Sequence, residues 1–270
     1  MALLEEELRS ILNSLSHLSA QGDLPVQTFA TLVKNARTDV LVEHLHQRWL
    51  SDANFGNVAA RILAYIQRDN PNDMKLSSRI LSLSLDDYKR RYEMRRNDRK
   101  MFTNYCRSLV ELMPIFFEID KYMGNSLVRP LFDCMFILTE SNPDDGDLLC
   151  VAQILIRSGQ LLNELDSHVC DKIIMKCRLA LCANDIALGD LTRFSLLNAV
   201  DLWNYRWNLQ SMPYCLVQFY QEQYEHYNLN EYEDKRWLPH GMIQSSTTTL
   251  VPSTISSYSK ISNDEFESIV

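Results

Sequence analysis

The stretch NPDDGDLLCVAQILIRSGQLLNEL, Asn142 to Leu165, decides how this chain folds. It opens on a helix start. Asn142 can cap, Pro143 takes the first position, and Asp144 and Asp145 meet the positive end of the helix dipole. Apolar residues then recur at helical spacing to about Leu165. Ser167 is placed to cap a second helix that runs to about Leu181. The two read as one antiparallel helix pair.

Outward from this pair, the same unit recurs. Pairs begin near Leu24, Phe55, Asp98, Asp144 and Leu188, and the last three intervals are nearly equal, at about 43 to 46 residues. That is the period of HEAT-type repeats, in which two antiparallel helices form one unit. Such a unit cannot bury its apolar face alone. It stacks on its neighbours, and the stack offers a long surface to partners.

The remaining elements follow from apolar spacing. Leu3, Leu4, Leu8, Ile11, Leu12, Leu15 and Leu18 mark a first amphipathic helix, interrupted by Gly22 and Pro25. Val26–Val33 and Val40–Leu50 read as one pair, and Phe55–Ile66 as the next helix. Asn70-Pro71-Asn72-Asp73 is a turn. Met74 to Arg96 reads as one long helix, and Met101 to Tyr122 as another that Pro114 should kink. Leu127–Leu138 is short and apolar throughout. Leu191–Leu209 and Tyr214 to about Asp234 close the array. The expected fold is all-α, a HEAT-like array of about ten or eleven helices over residues 1–236. Residues 237–270 are expected to be a disordered tail, because Ser245 to Val270 hold twelve Ser or Thr and too few apolar groups to offset ordering entropy.

Composition narrows the function. Only seven of 270 residues are glycine, and no phosphate-cradling glycine motif is present, which argues against nucleotide enzymes of the doubly wound and P-loop classes. The formal charge of −8 repels nucleic acid and anionic lipid on average, so any RNA contact must be local. No apolar run approaches the roughly 20 residues a membrane span needs. The seven cysteines sit mostly in apolar helical patterns and read as buried thiols of a reducing compartment. His168, Cys170, Cys177 and Cys182 would splay around a helix axis, so no metal site is expected. His44 and His46 diverge on a helix, and the acid runs are helix-start acids, so no catalytic set and no cofactor are expected.

Several stretches resemble the middle domain of eukaryotic initiation factor 4 gamma, a HEAT-like domain shared by translation adaptors. They are FGNVAARILAY from Phe55, SSRILSLSLDDYKRRYEMR from Ser77, and the Asn142–Leu165 stretch itself. In the second, Asp87 and Tyr88 stand where the family shows Glu and an aromatic residue. Leu197 to Asn208 resembles the family's closing helix, with Asp201 and Tyr205 departing from its pattern and Trp207 kept. The resemblance covers about residues 35 to 210 and is nearest the poly(A)-binding-protein-interacting and Mextli-type adaptors. It implies a cytoplasmic, non-catalytic scaffold of translation initiation or its regulation. Its implied partners are messenger RNA, the helicase factor 4A, factor 3, poly(A)-binding protein and cap-binding factor 4E. A general helical scaffold in RNA decay or export is the alternative.

Two surface features could carry such binding. In KRRYEMRRNDRK, Lys89 to Lys100, seven of twelve residues are basic: Lys89, Arg90, Arg91, Arg95, Arg96, Arg99 and Lys100. They read either as compensation of a helix dipole with solvated ion pairs, or as a contact for RNA phosphates or an acidic partner. The second feature is the aromatic end, with Trp203 and Trp207 among its rings. It reads either as packing that caps the last repeat or as a partner surface. Tyr224 and Leu229 have the spacing of a factor 4E ligand core, with Asn230 where an apolar residue should follow.

Overall fold

The computed structural model describes residues 23–33, 36–140, 142–183 and 186–226, with positions 6, 10, 11 and 14 nearer the N-terminus. The expected disordered tail, residues 237–270, lies outside them, as does most of the expected first helix. The helices are α1 Asp23–Val33, α2 Thr38–Ser51, α3 Phe55–Asp69, α4 Lys75–Lys89, α5 Arg91–Asn97 and α6 Arg99–Ile119. They continue with α7 Lys121–Glu140, α8 Asp145–Leu165, α9 Ser167–Cys182, α10 Asp190–Asn204 and α11 Tyr214–His226. A 3-10 turn, Leu209–Ser211, precedes α11, and no strand occurs among the described residues.

The helices form two layers. α1, α3, α6, α8 and α10 each pack on the next in one layer, and α2, α4, α7 and α9 do so in the other. The first helices of successive pairs begin at Phe55, Arg99, Asp145 and Asp190, about 45 residues apart, as the sequence period requires. One continuous apolar cluster runs from Val26 to Tyr220, with Leu45, Ile62, Ile80, Leu109, Leu131, Ile154 and Ile173 fully enclosed. Close approach of α3 to α6 depends on Gly56, where a Cβ would lie 2.9 Å from the Ser108 Cα.

Polar ties also span about one repeat. Asn104 donates to the Leu50 carbonyl at 3.0 Å, 54 residues away. Arg107 donates to Gln153 at 3.0 Å, 46 residues away. The Gly189 N–H donates to Asp145 at 2.7 Å, 44 residues away. The repeat period is thus written in hydrogen bonds as well as in the core.

Four local expectations change. The long helix expected from Met74 to Arg96 breaks at Arg90, whose φ and ψ of −93° and 9° open an elbow between α4 and α5. Arg90 N–H still reaches the Asp87 carbonyl at 3.0 Å, and Met94 N–H reaches the Arg90 carbonyl at 2.9 Å. The i→i−4 bonds that a continuous helix would carry from the Arg91, Tyr92 and Glu93 N–H groups are missing, yet apolar spacing carries no trace of the break. Asp120 ends α6 and starts α7 by accepting from the N–H groups of Tyr122 (2.7 Å) and Met123 (3.1 Å). The run expected to Tyr122 therefore stops at Ile119, and Leu127–Leu138 lengthens to Lys121–Glu140. Asp144, not Asn142, caps α8, in a reciprocal capping box with Asp147. Asn142 instead adopts a left-handed φ of 52°, which Asn tolerates better than most residues. Asp166, not Ser167, caps α9.

Candidate functional site

The elbow at Arg90 spreads the seven predicted basic residues over three helix ends. They do not form one uniform patch. Lys89 pairs with Asp86 at 2.7 Å on the open surface. Arg90 pairs at 2.8 Å with Asp87, which is fully buried and also shares a 2.6 Å hydrogen bond with His46 from α2. Arg91 donates to the Tyr88 carbonyl at 2.9 Å and lies over two rings, 4.2 Å from the Tyr88 centroid and 4.5 Å from that of Tyr92. Tyr88 in turn donates from its hydroxyl to Asp133 on α7. Tyr92 is 62% exposed, an aromatic face held open beside a guanidinium.

Arg95 points the other way. It is only 7% exposed and grips Asp147 with both guanidinium arms, one at 2.7 Å. Asp147 is fully buried and also accepts from the Asp144 N–H at 3.0 Å. Burial pushes the Asp147 carboxyl above its ordinary value, and Arg95 pulls it part of the way back. Arg99 extends the network to Asp144 at 2.8 Å and Asp147 at 3.4 Å. At Asp144 burial raises the pKa, but the Asp147 N–H and Arg99 outweigh it and hold the group below its usual value. Arg95 thus serves as a strut between α5 and α8, and Arg99 as its half-exposed brace. Arg96 and Lys100 are exposed and make no ion pair among the described residues. The outward face that remains is Arg90, Arg91, Tyr92, Arg96 and Lys100.

The aromatic end is committed largely to internal packing. The Trp203 indole donates to Asp171 at 2.8 Å and carries Arg178 over its ring at 5.0 Å. The Trp207 indole donates to the Leu155 carbonyl at 3.1 Å and lies on Gly159, where a Cβ would come 2.0 Å from the indole Nε1. Arg206 and Trp207 both take left-handed φ, 54° and 53°, to make this turn. Tyr220 packs on Phe194 and donates to Asp201 at 2.6 Å, which docks α11 on α10. Tyr214 at 80% and Phe219 at 45% stay exposed. Tyr224 lies in α11, and the rest of its expected motif, with Leu229, falls outside the described residues.

One polar cluster was not singled out from the sequence. On the layer formed by α3, α6 and α8, Glu111 accepts from Asn57 at 3.1 Å and Arg157 at 3.0 Å. Arg61 feels the same carboxylate, and burial is the chief cause that lowers the Arg61 pKa. Beside them Arg107 reaches Gln153. The signal was periodic: Arg107 and Gln153 stand 46 residues apart, as do Glu111 and Arg157. The repeat period locates this ladder once charged residues, and not only apolar ones, are aligned on it.

Five of the seven cysteines are buried, and Cys182 and Cys215 are exposed. Burial pushes the Cys170 and Cys177 thiols up to about 12 and Cys106 well above its ordinary value. Among the described residues no three His, Cys, Asp or Glu side chains are grouped to hold a metal ion. No described helix is long and apolar enough to cross a membrane.

The chain is 24% identical over 210 residues to the CBP80/20-dependent translation initiation factor of Xenopus tropicalis, covering 75% of this chain and 36% of that protein. It is 25% identical over 180 residues to the polyadenylate-binding protein-interacting protein 1 of Xenopus laevis, covering 60% of this chain and 38% of that one. The chain therefore spans little more than a third of the length of these relatives. No known family profile matches it. The relationship is a distant one, to translation-related helical proteins, and it agrees with the all-α array.

Proposed function

We propose that this chain is a non-catalytic adaptor of translation initiation, which holds messenger RNA and initiation factors on one rigid helical stack. The observation that supports it most is the combination of a stacked helix-pair array with distant relatives that are named for translation initiation and for interaction with polyadenylate-binding protein. Stacked repeats work by presenting surface, and each unit contributes a face without bond chemistry.

In this reading the elbow is the RNA contact. Arg90, Arg91, Arg96 and Lys100 supply phosphate contacts, and Tyr92 supplies a face on which a base stacks. Lys89 sits at the rim, while Arg95 and Arg99 tie the helices beyond the elbow to α8. Trp203 and Trp207 form the last repeat and, with Tyr224, mark where a second partner docks. The helicase factor 4A, factor 3, poly(A)-binding protein and factor 4E are the protein partners proposed, and the cytoplasm is the compartment.

The test is the salt dependence of binding to a labelled decauridine. Each single-strand phosphate contact adds about 0.7 to the slope of log K against log salt. Replacing Arg91, Arg96 and Lys100 by alanine should weaken binding and flatten that slope by about 2. An unchanged slope in the triple variant contradicts RNA binding at the elbow.

A further inference from the structure

We infer that the groove between α3 and α6 is a second docking site, built for a partner segment that carries one acidic side chain and one apolar anchor. The acidic end is met by the arginine ladder. Arg157 on α8 pairs with Glu111, Arg61 on α3 lies in the field of the same carboxylate, and Arg107 on α6 stands beside them on Gln153, so this part of the groove gathers three guanidinium groups in a chain of net charge −8. The Arg157 and Glu111 side chains are 13% and 11% exposed, deep enough for a charge pair to be poorly screened.

The apolar end lies further along the same two helices. There a pocket of about 260 Å³ is lined by the apolar Ala64, Pro71, Ile115 and Ile119 together with Gln67, Arg68 and Glu118. From Arg61 to Arg68 is two helical turns, roughly 10 Å. A helical segment spans this with residues seven apart, and an extended one with about three. A Leu-sized side chain in the pocket would then place a carboxylate among the arginines.

A peptide fits this groove better than nucleic acid does. Stacked bases need open rings, and Tyr65, the groove's aromatic neighbour, is half-buried. Among the described residues the most exposed rings, Tyr92, Tyr122 and Tyr214, are on α5, α7 and α11. A phosphate backbone tracking the groove would also pass Glu118, whereas a single carboxylate need not.

The probes are two fluorescein-labelled helical peptides of about sixteen residues in an Ala/Gln background. They carry one Glu and one Leu seven residues apart, in either order. One of them should bind the full chain, and its Glu→Lys version should bind about tenfold more weakly or worse. Arg61→Glu should weaken the Glu peptide by about tenfold and restore the Lys peptide, a swap that misfolding cannot mimic. Arg61→Gln carries the same first expectation if the reversal does not fold. Labelled decauridine should bind both proteins alike. Equal binding of the Glu and Lys peptides, or no effect of either Arg61 variant, overturns the inference. So does decauridine that displaces the peptide and loses affinity with Arg61→Glu, which would assign the groove to nucleic acid.

Discussion

Replacing Arg95 by methionine separates the strut from the binding face. The substitution keeps most of the apolar stem but removes a guanidinium that is 7% exposed and holds the fully buried Asp147 with two bonds. Breaking a buried pair on one side costs roughly 3 to 5 kcal/mol, because the remaining charge loses its partner in a poor solvent. Here the Asp144 N–H at 3.0 Å and Arg99 at 3.4 Å still serve Asp147, so the lower figure, about 3 kcal/mol, applies. For a domain of this size that corresponds to a fall in Tm of roughly 6 to 12 °C. Arg96→Met, one position on and exposed, should stay within about 0.5 kcal/mol of the parent. Urea unfolding followed by circular dichroism measures both. Decauridine binding should then invert the order, since Arg95→Met keeps its affinity under folding conditions while Arg96→Met loses one phosphate contact. Arg95→Met with parental stability, or with an RNA defect matching that of Arg96→Met, would refute the division.

Three further outcomes follow. Gly159→Ala should cost about 1 to 3 kcal/mol, because the new methyl displaces the Trp207 indole and its bond to Leu155; a loss of Trp fluorescence asymmetry alongside the unfolding shift checks it. Iodoacetamide at mildly alkaline pH should label Cys182 and Cys215 in the native protein and the other five only after unfolding, as mass spectrometry would count. Asp144 has a folded pKa below its unfolded value of about 3.9, so its stabilising effect is full above that value and is lost as pH falls through the folded pKa. Asp144→Asn, which still caps, should therefore show a shallower acid limb in stability against pH.

The array was legible because its signal is the one a helix must write. Apolar residues at helical spacing placed the starts of α3, α6, α8 and α10 within a residue or two, which gave the period, while the ends of α3, α6 and α10 fell three to five residues away from those expected. What escaped were features that leave that spacing intact. Arg90 bends the chain without changing its apolar spacing, so Met74 to Arg96 read as one helix. Asp120 looked like one more polar residue until two N–H groups turned toward it. For the basic run, the sequence showed charge but not direction. Arg95 and Arg96 are neighbours, yet one is buried on Asp147 and the other faces solvent, because successive helical residues diverge by about 100°. The Glu111 ladder was hidden for a different reason, since its members lie on separate helices and meet only when the repeats stack.

The adaptor reading stands or falls on what the chain holds in a cell extract. The tagged chain should be captured with and without ribonuclease, and its companions identified by mass spectrometry against the Arg91, Arg96 and Lys100 triple variant. The account predicts that initiation factors, factor 4A or factor 3 among them, remain after ribonuclease, and that RNA is recovered with the parent but depleted from the variant. Recovery of decay or export factors in place of initiation factors would contradict it.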